Sequence, residues 1–366
     1  LKVLVTGANG FVGSHILDVL LERGLPVRIL LRKTSDTSFI ARHLESGGRA
    51  GTLTSATRAS APPGRVLSPR EPPRASAPPS SPPSPLLSTV EGSIDDPASL
   101  NSALDGVTHV IHCAGRTRAC RPEEFYKTNH QGTRNFVEAV NAHAGHIQRL
   151  LHISSLAVVG PGTPEQPARE DSPARPVSHY GKSKLAGENE VTQHCRTDYA
   201  IIRPPAVYGP RDYGFLPLFK AVQNHLLPRT NSRQALSLVY VRDLAEAAVQ
   251  VLLHPATTRR AYFAASPEIV TARQMSDAIA SNLGAWTIPI PLPALALWPV
   301  CLAQELVSKI SGRPTLLNLQ KYAELRAPGW VCDPSKLRNE IGYACPTDLR
   351  HGVANTLTWY QNHHWL

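Results

Sequence analysis

The sequence predicts an α/β protein, a doubly wound parallel sheet with a smaller, mostly C-terminal substrate lobe. Three observations lead there. The chain opens with a short apolar strand, a glycine-bearing turn and a helical pattern, all within Leu1 to Leu20. Short apolar runs then alternate with helical stretches, as in parallel strands joined by crossover helices. Polar residues collect at the carboxyl ends of those runs, where open parallel sheets bind ligands.

The opening run breaks at Thr6-Gly7 and restarts as a helix with Ile16, Leu17, Val19 and Leu20 on its apolar positions. Gly7 allows the sharp turn, Gly10 lets the backbone approach a pyrophosphate, and Gly13 lets helix and strand pack closely. The first-turn N–H groups, unpaired within the helix, face the phosphates with the helix dipole behind them. This is the phosphate end of a dinucleotide site in a Rossmann-type sheet. Gly24-Leu25-Pro26 turns the chain into a second strand, Val27 to Leu31, ending at Arg32-Lys33. A carboxylate there would accept hydrogen bonds from a ribose 2′-hydroxyl and favour NAD, whereas a cation accommodates the 2′-phosphate of NADP. Arg32 and Lys33 therefore favour NADP, with NAD as the alternative.

A short helix, Ser38 to Leu44, precedes residues 47–85, which are dominated by Ala, Pro, Ser, Arg and Gly and include four proline pairs. Such a segment cannot bury enough apolar surface to offset its ordering entropy and reads as a low-complexity, disordered insert. Five arginines and one glutamate in it account for four of the ten net positive charges. The remainder suits a phosphorylated cofactor and needs no nucleic acid. A third strand at Leu86 to Val90 and a helix from Pro97 to Leu104 follow. The fourth strand, Thr108 to Cys113, ends at Ala114-Gly115, small residues that let a cofactor lie across the strand ends. A long helix from Glu123 to Ala142 carries Asn129, and the fifth strand leaves Ser155 at its carboxyl end.

The helix opening at Ser178 places Tyr180 and Lys184 four apart and so on one face. A lysine ammonium beside a phenol lowers the phenol pKa, which suits proton exchange at a carbinol. Lys184 can also hydrogen-bond the nicotinamide ribose, and Ser155 can donate to the substrate oxygen. The three form a constellation for hydride transfer with Tyr180 handling the proton.

Thr6-Gly-x-x-Gly-x-x-Gly13, His112-Cys-Ala-Gly115, Asn129 with Gly132-Thr133, Ser154-Ser155, Tyr180-x-x-x-Lys184, Arg203-Pro-Pro-Ala-Val-Tyr-Gly-Pro210 and Tyr240-Val-Arg-Asp243 are all present. Together they resemble an extended short-chain dehydrogenase/reductase. That branch holds nucleotide-sugar epimerases and dehydratases, 3β-hydroxysteroid dehydrogenases and dihydroflavonol reductases, and the resemblance spans nearly the whole chain outside the insert. It implies that Ser155, Tyr180 and Lys184 are catalytic. It also implies that Asn9, Phe11, Val12, Ser93, Ile94, Asn129, Ser154, Pro204 and Val207 join the glycines and Ala114 at the cofactor. A homodimer through the Glu123–Ala142 and Tyr180–Cys195 helices is implied too. One departure is Ser93, where the family usually has an aspartate contacting the adenine.

Residues 1–46 and 86–208 form the dinucleotide-binding domain on this reading. The segment 236–265 returns to it as a strand (Leu236 to Val241), a helix capped by Asp243 (Leu244 to Leu253) and a further strand (Ala261 to Ala265). Residues 209–235 and 266–366 make the substrate lobe, with a helix at Phe215 to Leu226. The most apolar stretch, Ile288 to Ile310, is interrupted by Pro289, Pro291, Pro293 and Pro299, so it reads as a substrate lid or a peripheral membrane contact and not as a spanning helix. Six cysteines without C-x-x-C pairing read as reduced thiols in a cytoplasmic protein. His363-His364 have no partner set, so no metal is expected. Three functions stay open: a dehydrogenase for a bulky hydrophobic alcohol or ketone, a nucleotide-sugar epimerase or dehydratase with internally recycled NAD and Arg211 facing a diphosphate, and a non-catalytic NADP-binding protein.

Overall fold

A computed structural model describes the chain except residues 47–85, 231–233, 293, 313 and 316–318. The low-complexity insert therefore lies outside the described residues. In chain order the first half comprises β1 (Val3–Thr6), α1 (Phe11–Glu22), β2 (Val27–Leu31), α2 (Ala41–Ser46), β3 (Leu87–Glu91), α3 (Pro97–Leu104), β4 (His109–His112), α4 (Pro122–Tyr126), α5 (Gly132–Ala142), β5 (Arg149–Ile153), α6 (His179–His194) and β6 (Asp198–Arg203). The second half comprises β7 (Ala206–Tyr208), α7 (Leu216–Gln223), β8 (Leu226–Thr230), β9 (Ala235–Tyr240), α8 (Val241–Leu253), β10 (Arg260–Phe263), β11 (Ile269–Thr271), α9 (Ala272–Leu283), β12 (Ile288–Leu292), α10 (Ala294–Ser311), α11 (Leu319–Leu325), β13 (Gly329–Trp330), α12 (Ser335–Ile341) and α13 (Leu349–Asn362).

Seven strands form one parallel sheet in the order β10-β6-β5-β4-β1-β2-β3. Its central strands are buried on both faces, as the crossover helices require. One face packs Val5, Ile29 and Ile111 against Ile16 and Leu20 of α1 and the Ala247-Ala248 stretch of α8. The other packs Leu4, Val110 and Leu150 against α3, Phe136 and Val140 of α5, and Val191 of α6.

The chain reversal of sheet order at β1 places the strand ends β1, β4 and β5 around one crevice.

The lobe has its own core, in which Tyr208, Phe219, Met275, Ile279, Val353 and Tyr360 pack together. Its sheet runs β11-β9-β13, with β7 also paired to β9. Strand β9 therefore sits in the lobe sheet and not in the large sheet to which 236–265 was assigned, although α8 and β10 do lie on the large sheet. Three further differences are local. Asp243 does not cap its helix, which begins at Val241; its carboxylate accepts hydrogen bonds from the Thr347 N–H and hydroxyl instead. The helix expected to run from Phe215 to Leu226 stops at Gln223, and the chain continues as β8 paired with β12. The Glu123–Ala142 helix is interrupted by a π-helical turn at Lys127–Gln131.

Among the described residues, no helix is long and apolar enough to cross a membrane.

Candidate active site

The glycine turn is built as its spacing requires. Gly7 has φ 72°, a left-handed conformation that disfavours a side chain. A Cβ on Gly13 would fall 2.0 Å from the Gly7 carbonyl oxygen. Helix α1 begins at Gly10 without a side-chain cap, so the turn brings the backbone at Phe11, Val12 and Gly13 to the crevice at a helix N-terminus suited to anions. Asn9 closes the turn by donating to the Asp36 carbonyl at 2.9 Å.

At the end of β2 the two cations differ. Lys33 pairs with Glu91 at the end of β3, 3.3 Å away, whereas Arg32 is exposed and uses its N–H on the Ser35 hydroxyl. Beyond β3, the Ser93 hydroxyl accepts from the Asp95 N–H and its own N–H donates to Ser99. Ser93 thus shapes the loop, while Ile94 is buried and presses on Gly132, where a Cβ would meet its side chain at 2.5 Å.

The floor of the crevice is polar and tied across strands. Thr6 meets His112 at 2.8 Å and accepts from the Ala114 N–H, and His112 reaches Thr133 on its other nitrogen at 3.1 Å. Burial holds His112 down at about 3, so the ring is neutral. Asn129 lies inside the π turn, a geometry frequent at functional sites. Its side chain accepts from the Arg116 N–H at 2.7 Å and donates to the Arg116 carbonyl and the Ser183 hydroxyl. Helix α6 comes so close here that a Cβ on Gly187 would lie 2.0 Å from the Asn129 carbonyl. Asn129 therefore joins the β4 end to α6, with its amide already engaged. A Cβ on Gly115 would come 3.4 Å from the Asn129 Oδ1 and 3.9 Å from the Lys184 Nζ, so Gly115, Asn129 and Lys184 border one space. Clearance over Gly115 and the bare helix start at Gly10 fit a dinucleotide laid across the strand ends.

Ser155, Tyr180 and Lys184 meet where β5 ends and α6 begins. Ser178 caps α6 by accepting from the Gly181 N–H, and Gly181 packs against the short turn after Ser155, where a Cβ would lie 2.5 Å from the Ala157 carbonyl. This contact sets Tyr180 against Ser155, whose side chain favours the ionised form of its hydroxyl. Lys184 is buried and donates to the Ile153 carbonyl at 2.7 Å.

The electrostatics differ from the expectation of a lowered phenol. Desolvation pushes the Tyr180 hydroxyl up to about 12; the Ser155 side chain acts the other way, and the Glu324 carboxylate adds to the rise. Desolvation likewise brings the Lys184 ammonium down to about 8. The two groups lie four residues apart on one helix, and desolvation is the largest cause of both shifts.

Ser154, beside Ser155, points elsewhere. Its hydroxyl donates at 2.7 Å to buried Glu188, which is also held by Arg203. Pro204 accepts from the Leu156 N–H and so borders the turn after Ser155, whereas Val207 is fixed by β7–β9 pairing opposite Val239. Arg211 does not face a substrate. It is buried, pairs with Asp18 of α1 at 2.8 Å and donates to Ser14 at 3.0 Å. Asp18 also pairs with Arg42 and His43, so α1, α2 and the loop after Tyr208 are pinned together. Sequence reading assigned no role to Asp18, Glu188 or Glu324, whose partners are remote in the chain. Only the helical offset of Glu188, four residues after Lys184, pointed toward the site.

The sequence profile of the NAD dependent epimerase/dehydratase family matches residues 3–264. A ceramide reductase of Caulobacter vibrioides is 27% identical over 365 residues, covering 100% of this chain and 96% of that protein. Sterol demethylase protein B of Methylococcus capsulatus is 24% identical, covering 99% and 98%. Among solved structures, a dTDP-glucose 4,6-dehydratase from Streptomyces venezuelae with NAD bound superposes with a TM-score of 0.72 at 21% identity, covering 100% of this chain and 98% of that one. At that identity the likeness is one of fold.

Proposed function

The chain belongs to the NAD-dependent epimerase/dehydratase family and is an enzyme of its oxidoreductase and epimerase type, and from that premise we propose that it transfers a hydride between NADP and a secondary alcohol or ketone of a bulky hydrophobic substrate. The observation that carries the reading is Tyr180 set against Ser155, with Lys184 buried one helical turn on and donating to the Ile153 carbonyl at the end of β5. Gly115, Asn129 and Lys184 would border the nicotinamide end of the cofactor, which would supply or accept the hydride there. With its hydroxyl held up at about 12, Tyr180 is protonated at neutral pH and donates to the carbonyl oxygen in the reductive direction. Ser155 donates a second hydrogen bond to that oxygen, and Lys184 holds the nicotinamide ribose. Arg32 takes the 2′-phosphate. Relatives named for ceramide and sterol substrates support a lipid-like alcohol or ketone, and the commitment of Arg211 to Asp18 removes the cation that a sugar diphosphate would have met.

The test is mass spectrometry of nucleotide retained by purified protein, followed by NADPH consumption with a 3-keto steroid and with dTDP-glucose. Reversible NADPH binding with turnover of the keto lipid is the expected result. Tightly retained NAD and conversion of the sugar nucleotide without net NADPH consumption would establish the epimerase or dehydratase reaction instead.

A further inference from the structure

Helix α10 is amphipathic the wrong way round for a helix facing water. Around its axis, Pro299, Val300, Ala303, Leu306, Val307 and Ile310 fall on one arc, and all are exposed, with exposed Trp298 at its margin; Val307 is 57% and Ile310 87% accessible. The opposite side, turned into the lobe, carries buried Cys301 and Ser308 together with Gln304 and Glu305. The inner side is tied down: Glu305 pairs with Lys309 at 2.9 Å and accepts from the Leu319 N–H, and the main-chain carbonyl of Gln304 accepts from the Thr315 hydroxyl. A helix packed on a water-soluble lobe ordinarily shows the reverse arrangement. Exposed Leu226, Trp286, Ile288 and Ile290 lie in and beside the preceding strand pair. An exposed apolar face of this kind marks an interaction site.

We infer that the outward face of α10 docks on the surface of an anionic lipid bilayer. Three features select that occupant. Two exposed tryptophans, Trp286 before β12 and Trp298 near the start of α10, suit the headgroup boundary. The sequence from Trp286 to Arg326 carries four cations against two carboxylates, and both carboxylates are paired with lysines, Glu305 with Lys309 and Glu324 with Lys321. A helix with an apolar face and flanking cations lies in the plane of an anionic membrane; α10, broken by Pro299, is not apolar enough to cross one. The inner face of α10 packs on α11, and α11 carries Glu324, whose charge reaches Tyr180. The bilayer-facing helix is thus one layer removed from the proton-handling phenol. The inference stands on the chemistry of α10 itself and rests on the proposed function only for the direction of substrate travel, from membrane to site.

The experiment is co-sedimentation of the intact chain with phosphatidylglycerol–phosphatidylcholine vesicles and with pure phosphatidylcholine vesicles, alongside NADPH titration and light-scattering mass. Binding to the anionic vesicles that weakens with salt is expected, with a loss of about tenfold or more in the Val307→Glu, Ile310→Glu double variant. NADPH affinity should stay unchanged, which separates this inference from the cofactor assignment. Because that variant can misfold, the wild-type chain is also tested with brominated lipid, and fluorescence quenching that weakens in Trp298→Phe and is lost when Trp286→Phe is added is expected. Absence of vesicle binding and of quenching by a folded, NADPH-binding chain would overturn the inference. A dimer that the double variant splits would overturn it too, because the face would then meet a second copy.

Discussion

Helices α1 and α10 are both rich in apolar residues and place them oppositely. In α1, Ile16, Leu17, Val19 and Leu20 are fully buried between the sheet and α8, and the charged residues Glu22 and Arg23 point outward to Arg242 and Glu246. In α10, apolar side chains face out and polar ones face in. The difference follows from what lies beneath each helix. A parallel sheet offers a continuous apolar face, so any crossover helix must turn its apolar stripe inward. Beneath α10 lies the start of α11, whose first N–H has no partner within its own helix and donates to Glu305, so polar side chains of α10 turn inward and its apolar arc is left exposed.

The sharpest way to test this division is to damage the sheet half alone. Tyr180→Phe removes the proton donor without altering the fold, because the phenyl ring retains its edge contact with Phe125. Turnover should fall by about 10²- to 10⁴-fold while NADPH affinity holds within a few fold, as read by steady-state kinetics and fluorescence titration. A nearly active variant would move the chemistry away from Tyr180.

Acid should find the same half first. Among the described residues, the buried histidines His15, His109, His112 and His152 all belong to the sheet half. Desolvation holds His15 at about 4 and His112 at about 3, against an ordinary value near 6.5. Their folded pKa values lie below the unfolded ones, so the stability they confer is fully present above about pH 6.5. It is lost as pH falls toward 4, where the unfolded chain takes up protons that the fold refuses. Each is worth on the order of 3 kcal/mol. Calorimetry between pH 7.5 and 4.5 should show a falling Tm, and hydrogen exchange should show β1, β4 and β5 opening; a Tm flat across that range would contradict the burial of these rings.

The link between the halves is electrostatic. Arg211→Ala leaves the Asp18 carboxylate buried with only Arg42 and His43 as charged partners, and chemical denaturation should show a loss of about 2 to 3 kcal/mol. Adding Asp18→Asn should restore part of that loss, since the uncompensated charge is gone. Strictly additive losses would mean the pair contributes nothing as a pair.

These tests also separate what the chain declares locally from what only folding assembles. The glycine turn, the Tyr180–Lys184 offset and the strand-end position of Ser155 follow from spacing within a few residues, and each is where the spacing puts it. Strand β9 was misplaced because an apolar run of six residues carries no mark of which sheet will pair with it. Arg211 was misread for a related reason: its partner Asp18 lies almost two hundred residues away, and an isolated arginine in a loop looks available. The raised phenol of Tyr180 was out of reach because desolvation depends on the lobe closing over it, with Glu324 supplied from α11.

The smallest expected effect concerns the cofactor's 2′-phosphate. Arg32 and Lys33 are adjacent cations in the sequence, yet only one is unengaged: Lys33 pairs with Glu91, while the Arg32 guanidinium has no ion-pair partner among the described residues. A charge-assisted hydrogen bond to phosphate is worth about 1.5 to 3 kcal/mol. Arg32→Asp should therefore shift preference from NADPH toward NADH by about tenfold to a hundredfold, with Tm unchanged because the side chain is exposed. Lys33→Ala should shift it less, since that ammonium already spends its charge on Glu91. If Lys33→Ala moved the preference further than Arg32→Asp, the Glu91 pair would have to open when cofactor binds, and Lys33 would hold the 2′-phosphate. If neither variant moved it, the adenosine end would be read without these cations, and NAD would become the expected cofactor.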